Sequence, residues 1–133
     1  TKVSNRYFNY IYVRAGAYTY INKRMGNDIW KNLFEFPLIE TTSSLTEEEL
    51  WALPEFRNLI APGETPLLRT VCRDVKHVLS HRVIYASFYE VTLPAETNSF
   101  RNYRKIKINE LEEYAVSRLV HAFIEKYISG KEK

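Results

Sequence analysis

Few side chains in this sequence could carry chemistry, and their spacing rules out most of it. The candidates for ligation, attack or proton transfer are His77, His81 and His121, the single Cys72, and the run Glu47-Glu48-Glu49. His77 and His81 stand four apart. A zinc-binding His-Glu-x-x-His pair needs a helix that brings both imidazoles to one face, and a glutamate after the first histidine. Here Val78 follows His77, and the stretch reads as strand and turn. Ser80 beside His81 offers a hydroxyl and a base. Adjacent residues of an extended chain point to opposite faces, so that base does not meet its nucleophile. Cys72 alone forms no internal disulfide and holds no iron–sulfur or cysteine-rich zinc site. It reads as a small buried apolar residue in a reducing, cytoplasmic setting. His121 falls on an amphipathic C-terminal stretch and reads as helix surface. The sequence therefore assigns this chain no catalytic residue and no metal ligand.

Charge is more informative in its distribution than in its sum. The 133 residues carry a net charge of only +3. From Arg69 to Arg82 four cations (Arg69, Arg73, Lys76, Arg82) face one anion, Asp74, an excess equal to that of the whole chain. Arg101, Arg104, Lys105 and Lys107 form a second basic cluster, while Glu40, Glu47, Glu48, Glu49 and Glu55 gather elsewhere. One basic and one acidic side is the footprint of a phosphate-facing surface. No run of 18 apolar residues and no secretory leader is present, which excludes a membrane span of the helical kind. The first residue is Thr1 and the only methionine is Met25, so the chain reads as an excised domain of a larger protein.

Positioning these groups requires strands and a few helices. Residues 6–14 and 17–24, rich in Tyr, Ile and Val with polar residues between, predict a β-hairpin turning at Ala15-Gly16. Residues 25–29 read as loop, and Pro37 makes the apolar run 33–39 an edge or irregular segment. Ser44 and Glu47 have the spacing of a capping box, opening a short helix with Leu45, Leu50 and Leu53 inward and Pro54 as its end. After a loop over 61–66, strands are predicted near 67–79 and 81–93, then a polar loop over 94–100 and a short strand over 103–108. Leu111, Tyr114, Ala115, Leu119, Ala122, Phe123 and Tyr127 recur at helical spacing. They predict one terminal helix capped by Asn109, stopped by Gly130 and frayed over 130–133. The order of elements predicts an α+β domain on a mixed or antiparallel sheet with helices packed on it.

Two segments carry a family resemblance. Trp30, Leu33, Phe34, Glu35, Phe36 and Pro37 resemble the Trp-x-x-Leu-aromatic-Glu-Phe-Pro stretch shared by Nudix proteins and the C-terminal domain of MutY-type adenine DNA glycosylases. His77-Val78-Leu79-Ser80-His81 is similar to the His-x-Phe-Ser-His loop of MutY proteins. About forty residues separate the two, in the family's order. Leu111, Tyr114, Ala115, Arg118 and Leu119 fit the family's C-terminal pattern. The departures are Leu79 where Phe is common, Ser117 where Pro is common, and Pro37 followed by Leu38-Ile39-Glu40 rather than a glycine pair. An active Nudix hydrolase also needs an Arg-Glu and Glu-Glu helix to hold Mg²⁺ against a pyrophosphate. Glu47-Glu48-Glu49 lacks its arginine, its flanking glycines and its register.

The resemblance implies a Nudix-like α/β/α sandwich with a mixed, mainly antiparallel sheet, spanning residues 1–133 as a single recognition domain. It implies a non-catalytic, 8-oxoguanine-reading part of a bacterial, cytoplasmic glycosylase that removes adenine opposite the lesion. The catalytic carboxylate and iron–sulfur cluster would lie in an N-terminal domain of the same polypeptide. Ser80 would read the lesion, with Leu79, His77 and His81 around it and Arg82, Lys76, Arg73 and Arg69 toward duplex phosphates. Two other readings use the same residues: a divergent Nudix hydrolase of oxidised nucleotides, and a protein-interaction module using the tyrosine-rich hairpin as its surface.

Overall fold

Alternation of side chains along two long strands organises the molecule. The computed structural model describes residues 3–132. β1 (Ser4–Ala15) sends Phe8, Tyr10 and Tyr12 to one face and Ile11, Val13 and Ala15 to the other, all buried. Period-two alternation with both faces apolar is the mark of a central strand. β2 (Tyr18–Lys23) returns after a turn in which Gly16 has φ +62°. A Cβ there would stand 2.7 Å from that of Ala95, so conformation and space both demand glycine.

β3 (Phe34–Glu35) and β4 (Leu38–Thr41) are split by Pro37, whose carbonyl still accepts from Ile11 N at 2.9 Å. α1 (Glu47–Ala52) and α2 (Pro54–Arg57) follow. β5 (Leu67–Leu79) and β6 (Arg82–Leu93) form the long hairpin, and β7 (Arg104–Lys107) adds a short strand. The backbone of the sheet runs β3-β2-β1-β6-β5, with β4 pairing β1 and β7 pairing β2. β1 and β6 are parallel; every other strand pairing is antiparallel.

Two apolar clusters lie on opposite faces. One collects Phe8, Tyr10, Phe36 and Phe88 under the C-terminal helical segment, around Phe123 and Ile124. The other collects Ile11, Val13, Tyr89 and Val91 under α1 and α2, around Leu50 and Phe56. This is the α/β/α sandwich with a mixed, mainly antiparallel sheet that the resemblance implied. No helix is long and apolar enough to cross a membrane among the described residues.

Three local expectations are corrected. The capping box of α1 is Thr46 with Glu49, not Ser44 with Glu47: Glu49 N donates to Thr46 Oγ1 at 3.1 Å and Thr46 N to Glu49 Oε1 at 2.9 Å. Ser44 instead donates to Asp74 at 2.8 Å, because a bulge in β5 brings that residue, at φ +53°, against the loop before α1. The terminal helix does not start at Asn109. Residues Ile108–Glu113 make only a 3₁₀ turn, and the chain then extends. Phe34 N donates to Ala115 O at 2.8 Å, and Phe34 bridges Val116, which holds this stretch straight. α3 (Arg118–Phe123) starts afresh, with Ser117 Oγ accepting from Val120 N at 3.2 Å. It continues as a π turn (Ile124–Ile128) and a 3₁₀ turn (Ser129–Glu132). That last turn runs through Gly130, so glycine is no stop here; Lys133, the end of the expected frayed tail, lies outside the described residues. In the tyrosine-rich hairpin Tyr10, Tyr12 and Tyr20 are core, while Tyr7 and Tyr18 are half-buried.

Candidate functional site

The turn between β5 and β6 consists of two residues, Ser80 and His81, with Leu79 and Arg82 as the closing pair. A two-residue turn leaves its side chains nothing to pack on. Ser80 and His81 are both exposed, and the Ser80 hydroxyl makes no intramolecular hydrogen bond among the described residues. The ordinary fate of a turn serine, bonding to its own backbone, is not realised. The turn is fixed from behind instead: Ser4 N donates to His81 O at 3.1 Å, so the first residue of β1 clamps it.

Alternation along the end of β5 sorts the neighbouring residues. His77 and Leu79 face inward and are half-buried, Leu79 against the core; Lys76 and Val78 face solvent. Arg82 and Lys76 are exposed and unpaired with any carboxylate among the described residues. Leu79, Ser80, His81 and Arg82, with Ser4, Ile29 and Trp30, form the wall of an open depression of about 540 Å³.

Trp30 reaches this wall from the loop between β2 and β3, where it and Asn32 take positive φ (+59° and +71°). A bulky residue in that region is strained and persists only when its surroundings over-determine it. They do. The Trp30 ring packs edge-on against His77 (centroids 5.7 Å apart) and Phe8 (6.0 Å). Arg24 Nε donates to Ile29 O at 3.0 Å, and its guanidinium reaches Asp28 at 2.8 Å and Glu35 at 3.3 Å. Arg6 holds Asp28 and Glu40 from the strand side at 2.9 and 2.7 Å. Hydrogen bonding from Arg6 keeps the Asp28 carboxyl well below the ordinary aspartate range. Burial has the opposite effect on Glu35: it outweighs Arg24 and pushes that carboxyl up to about 7. Trp30 was legible only as part of a family stretch; its place in the site depends on Arg24 at the start of its own loop and on Arg6 in β1.

Not all eight residues singled out from the sequence meet here. Ser80, His81, Leu79 and Arg82 share the depression, His77 backs it through Trp30, and Lys76 stands on the adjacent outer face. Arg73 and Arg69 lie roughly 20 and 30 Å back along β5 at the usual strand rise. Both are occupied. Arg73 donates to Ser44 Oγ at 3.1 Å and Leu45 O at 2.6 Å, and Arg69 to Glu90 at 2.9 Å. Proximity in sequence placed them in the basic run; an extended strand carries them away from its tip.

The acidic run at α1 is where a hydrolase would hold its metal. Glu47 accepts from Thr70 N at 2.8 Å and Thr70 Oγ1 at 2.7 Å, and Glu49 closes the capping box. Two of the three carboxylates are thus committed to structure. No group of three His, Cys, Asp or Glu side chains with metal-holding geometry occurs among the described residues. The residues do not fit a divalent cation.

A family model described as the NUDIX domain matches residues 9–126. Among solved structures, the C-terminal domain of mouse MUTYH, determined in complex with human PCNA, aligns over 96% of this chain and 90% of its own, with a TM-score of 0.59 and 15% identity. A MutT protein from Methanosarcina mazei Go1 aligns over 100% and 99%, with a TM-score of 0.65 and 12% identity. A MutT structure from work on Aliivibrio salmonicida and Vibrio cholerae aligns over 96% and 99%, with a TM-score of 0.60 and 14% identity. At such identities the likeness is one of fold. No curated protein matches the chain.

Proposed function

The chain belongs to the NUDIX domain family, and from that premise we propose that it reads 8-oxoguanine in duplex DNA as the non-catalytic recognition domain of an adenine DNA glycosylase. The observation that carries this reading is the exposed, unpartnered hydroxyl of Ser80 at the rim of the depression. Oxidation turns guanine N7 from an acceptor into an N–H donor and places a carbonyl oxygen on C8. A hydroxyl donates and accepts at once, so Ser80 satisfies O8 and N7–H together, with a neighbouring backbone N–H as a second donor. Unoxidised guanine keeps N7 and O6 as acceptors and has only C–H at C8, so the donor set for O8 loses its partner. A polar group left unpaired there costs about 1–3 kcal/mol, enough for tenfold discrimination or more. His81, Arg82 and Lys76 contact the flanking phosphates, which position without specifying. Base excision itself belongs to an N-terminal catalytic domain, together with its iron–sulfur cluster.

The test is a fluorescence-anisotropy titration of the chain with matched duplexes carrying 8-oxoguanine or guanine opposite adenine. The expected result is tighter binding of the oxidised duplex and a roughly tenfold loss of that preference in Ser80→Ala. An unchanged ratio in the variant would sink the reading.

A nucleotide hydrolase is the second reading, favoured by a likeness to the two MutT structures as close as that to the MUTYH domain. Incubating the chain with oxidised nucleoside triphosphates and Mg²⁺ separates the two. The committed carboxylates of α1 predict no turnover, and turnover would replace the recognition reading.

A further inference from the structure

The second basic cluster of the sequence lies on a different edge of the molecule. Among the described residues β7 pairs only with β2, with Tyr18 opposite Lys107, Tyr20 opposite Lys105 and Ile21 opposite Arg104. Ile106 points into the core, while Arg104, Lys105 and Lys107 are exposed, as is Lys23 at the end of β2.

Two features distinguish this edge from ordinary solvated charge. The first is order. The Arg104 guanidinium sits 5.4 Å from the Phe34 ring centroid and 6.0 Å from that of Tyr114. The Lys23 ammonium lies 5.9 Å from Phe34, and that of Lys105 lies 4.5 Å from Tyr18. Lys105 also donates to Ala95 O at 3.3 Å. The rings hold these heads in place without neutralising them, which lowers the entropy lost when they engage a ligand. The second is imbalance. None of the four cations is ion-paired among the described residues, whereas Arg6, Arg14, Arg24 and Arg69 all are. Lys105 and Lys107 share one side of β7, and Arg104 and Lys23 meet at Phe34 on the other. Uncompensated cations on both sides of an edge strand suit a polyanion lying along that edge.

One end of the edge, Lys23, adjoins the candidate site. The other end, Lys105 and Lys107 opposite Tyr20 and Tyr18, lies about 30 Å along the sheet from the Ser80 turn at the usual strand rise, close to one turn of a duplex. β2 runs from Lys23 directly into the loop that carries exposed Lys31 and brings Trp30 to the Ser80 depression, and Arg24 N closes that loop on Leu33 O at 2.9 Å.

We propose that the β2–β7 edge is a second, sequence-independent phosphate-binding surface, which takes the backbone of duplex DNA flanking the base presented to the Ser80 turn. The choice of duplex DNA rests on the proposed function; the phosphate chemistry of the edge does not.

The experiment compares wild type, Lys105→Gln/Lys107→Gln and Ser80→Ala by anisotropy, with oxidised and unoxidised duplexes across a salt series. Loss of two phosphate contacts lowers the slope of log affinity against log salt by about 2 and weakens both duplexes about tenfold at low salt, leaving their ratio intact. An unchanged affinity and slope in a variant with wild-type melting overturns the proposal. Aggregation without loss of affinity overturns it too, because charges on an edge strand also prevent strand-to-strand association. Lost retention of an acidic peptide, with duplex affinity unchanged, overturns it in favour of a protein partner. If the double variant melts early, Lys107→Gln alone, whose ammonium touches no ring, shows a slope change of about 1 or refutes the proposal. Ser80→Ala separates the two ideas: it alters the ratio and not the slope if the recognition reading holds, whatever the edge does.

Discussion

Whether a serine at a turn does anything beyond turning depends on whether its hydroxyl is free. Ser80 is free because Ser4 N, not the serine, ties down the turn. The nearby ionised groups belong to the support rather than to the contact. Glu35 is the one whose titration falls in a physiological window. Its value in the folded protein, about 7, lies above the ordinary 4.5. The stability contributed by its neutral form is complete below about 4.5 and is lost as pH rises through about 7. Asp28 works the other way, its contribution being present above the ordinary 3.8 and lost as pH falls. Thermal melts of Glu35→Gln between pH 4.5 and 7 are expected to be flatter than those of wild type; parallel curves would place the titration elsewhere. Ser80, Leu79, His81 and Arg82 were legible because their spacing is local and a two-residue turn keeps them together. Arg69 and Arg73 do not meet them, because an extended strand separates what the sequence lists side by side.

At the scale of elements, caps decided the boundaries. Ser44-Glu47 and Thr46-Glu49 both have capping-box spacing, and the sequence alone ranks neither. The choice fell to the bulge at Asp74, which claims Ser44 from thirty residues away. Thr46→Ala is therefore expected to cost about 1 kcal/mol in denaturant unfolding. The helical periodicity from Leu111 to Tyr127 was real in its contacts but wrong in its continuity. Leu111, Leu119 and Phe123 all enter one core cluster, yet the Phe34 bridge straightens the chain between them. Ser117→Ala should cost about 1 kcal/mol through the lost cap, while Asn109→Ala, inside the 3₁₀ turn, should change stability little. Equal effects at the two positions would restore the single helix. The long strands were read correctly because alternation over a dozen residues is a long signal. The run 33–39, read as an edge or irregular segment, supplies two short strands instead, and the β5 bulge was missed because nothing local marks it.

Across the whole molecule, one aromatic side chain joins the sheet to the C-terminal segment. Phe123 stacks on Phe88 (4.2 Å) and meets Tyr12, Phe36 and Tyr127 at 5.1–6.0 Å. Phe123→Ala is expected to destabilise by about 3–5 kcal/mol; a loss below about 1 kcal/mol would mean the segment packs independently. Beyond the core, the sheet presents unpaired cations at both ends of the candidate site's neighbourhood, Arg82 and Lys76 at one hairpin and Lys23 to Lys107 at the opposite edge. The sequence had marked both clusters, but not that aromatic rings hold one of them in place, because Phe34 and Tyr114 reach Arg104 only through the fold. The central claim concerns the hairpin tip, and ¹H–¹⁵N correlation spectra of the chain titrated with oxidised and unoxidised duplexes test it most directly. Amide resonances from Leu79 to Arg82 and the Trp30 indole should shift with the oxidised duplex and respond far less to the unoxidised one. Identical shifts with both, or shifts that leave this turn untouched, would contradict it.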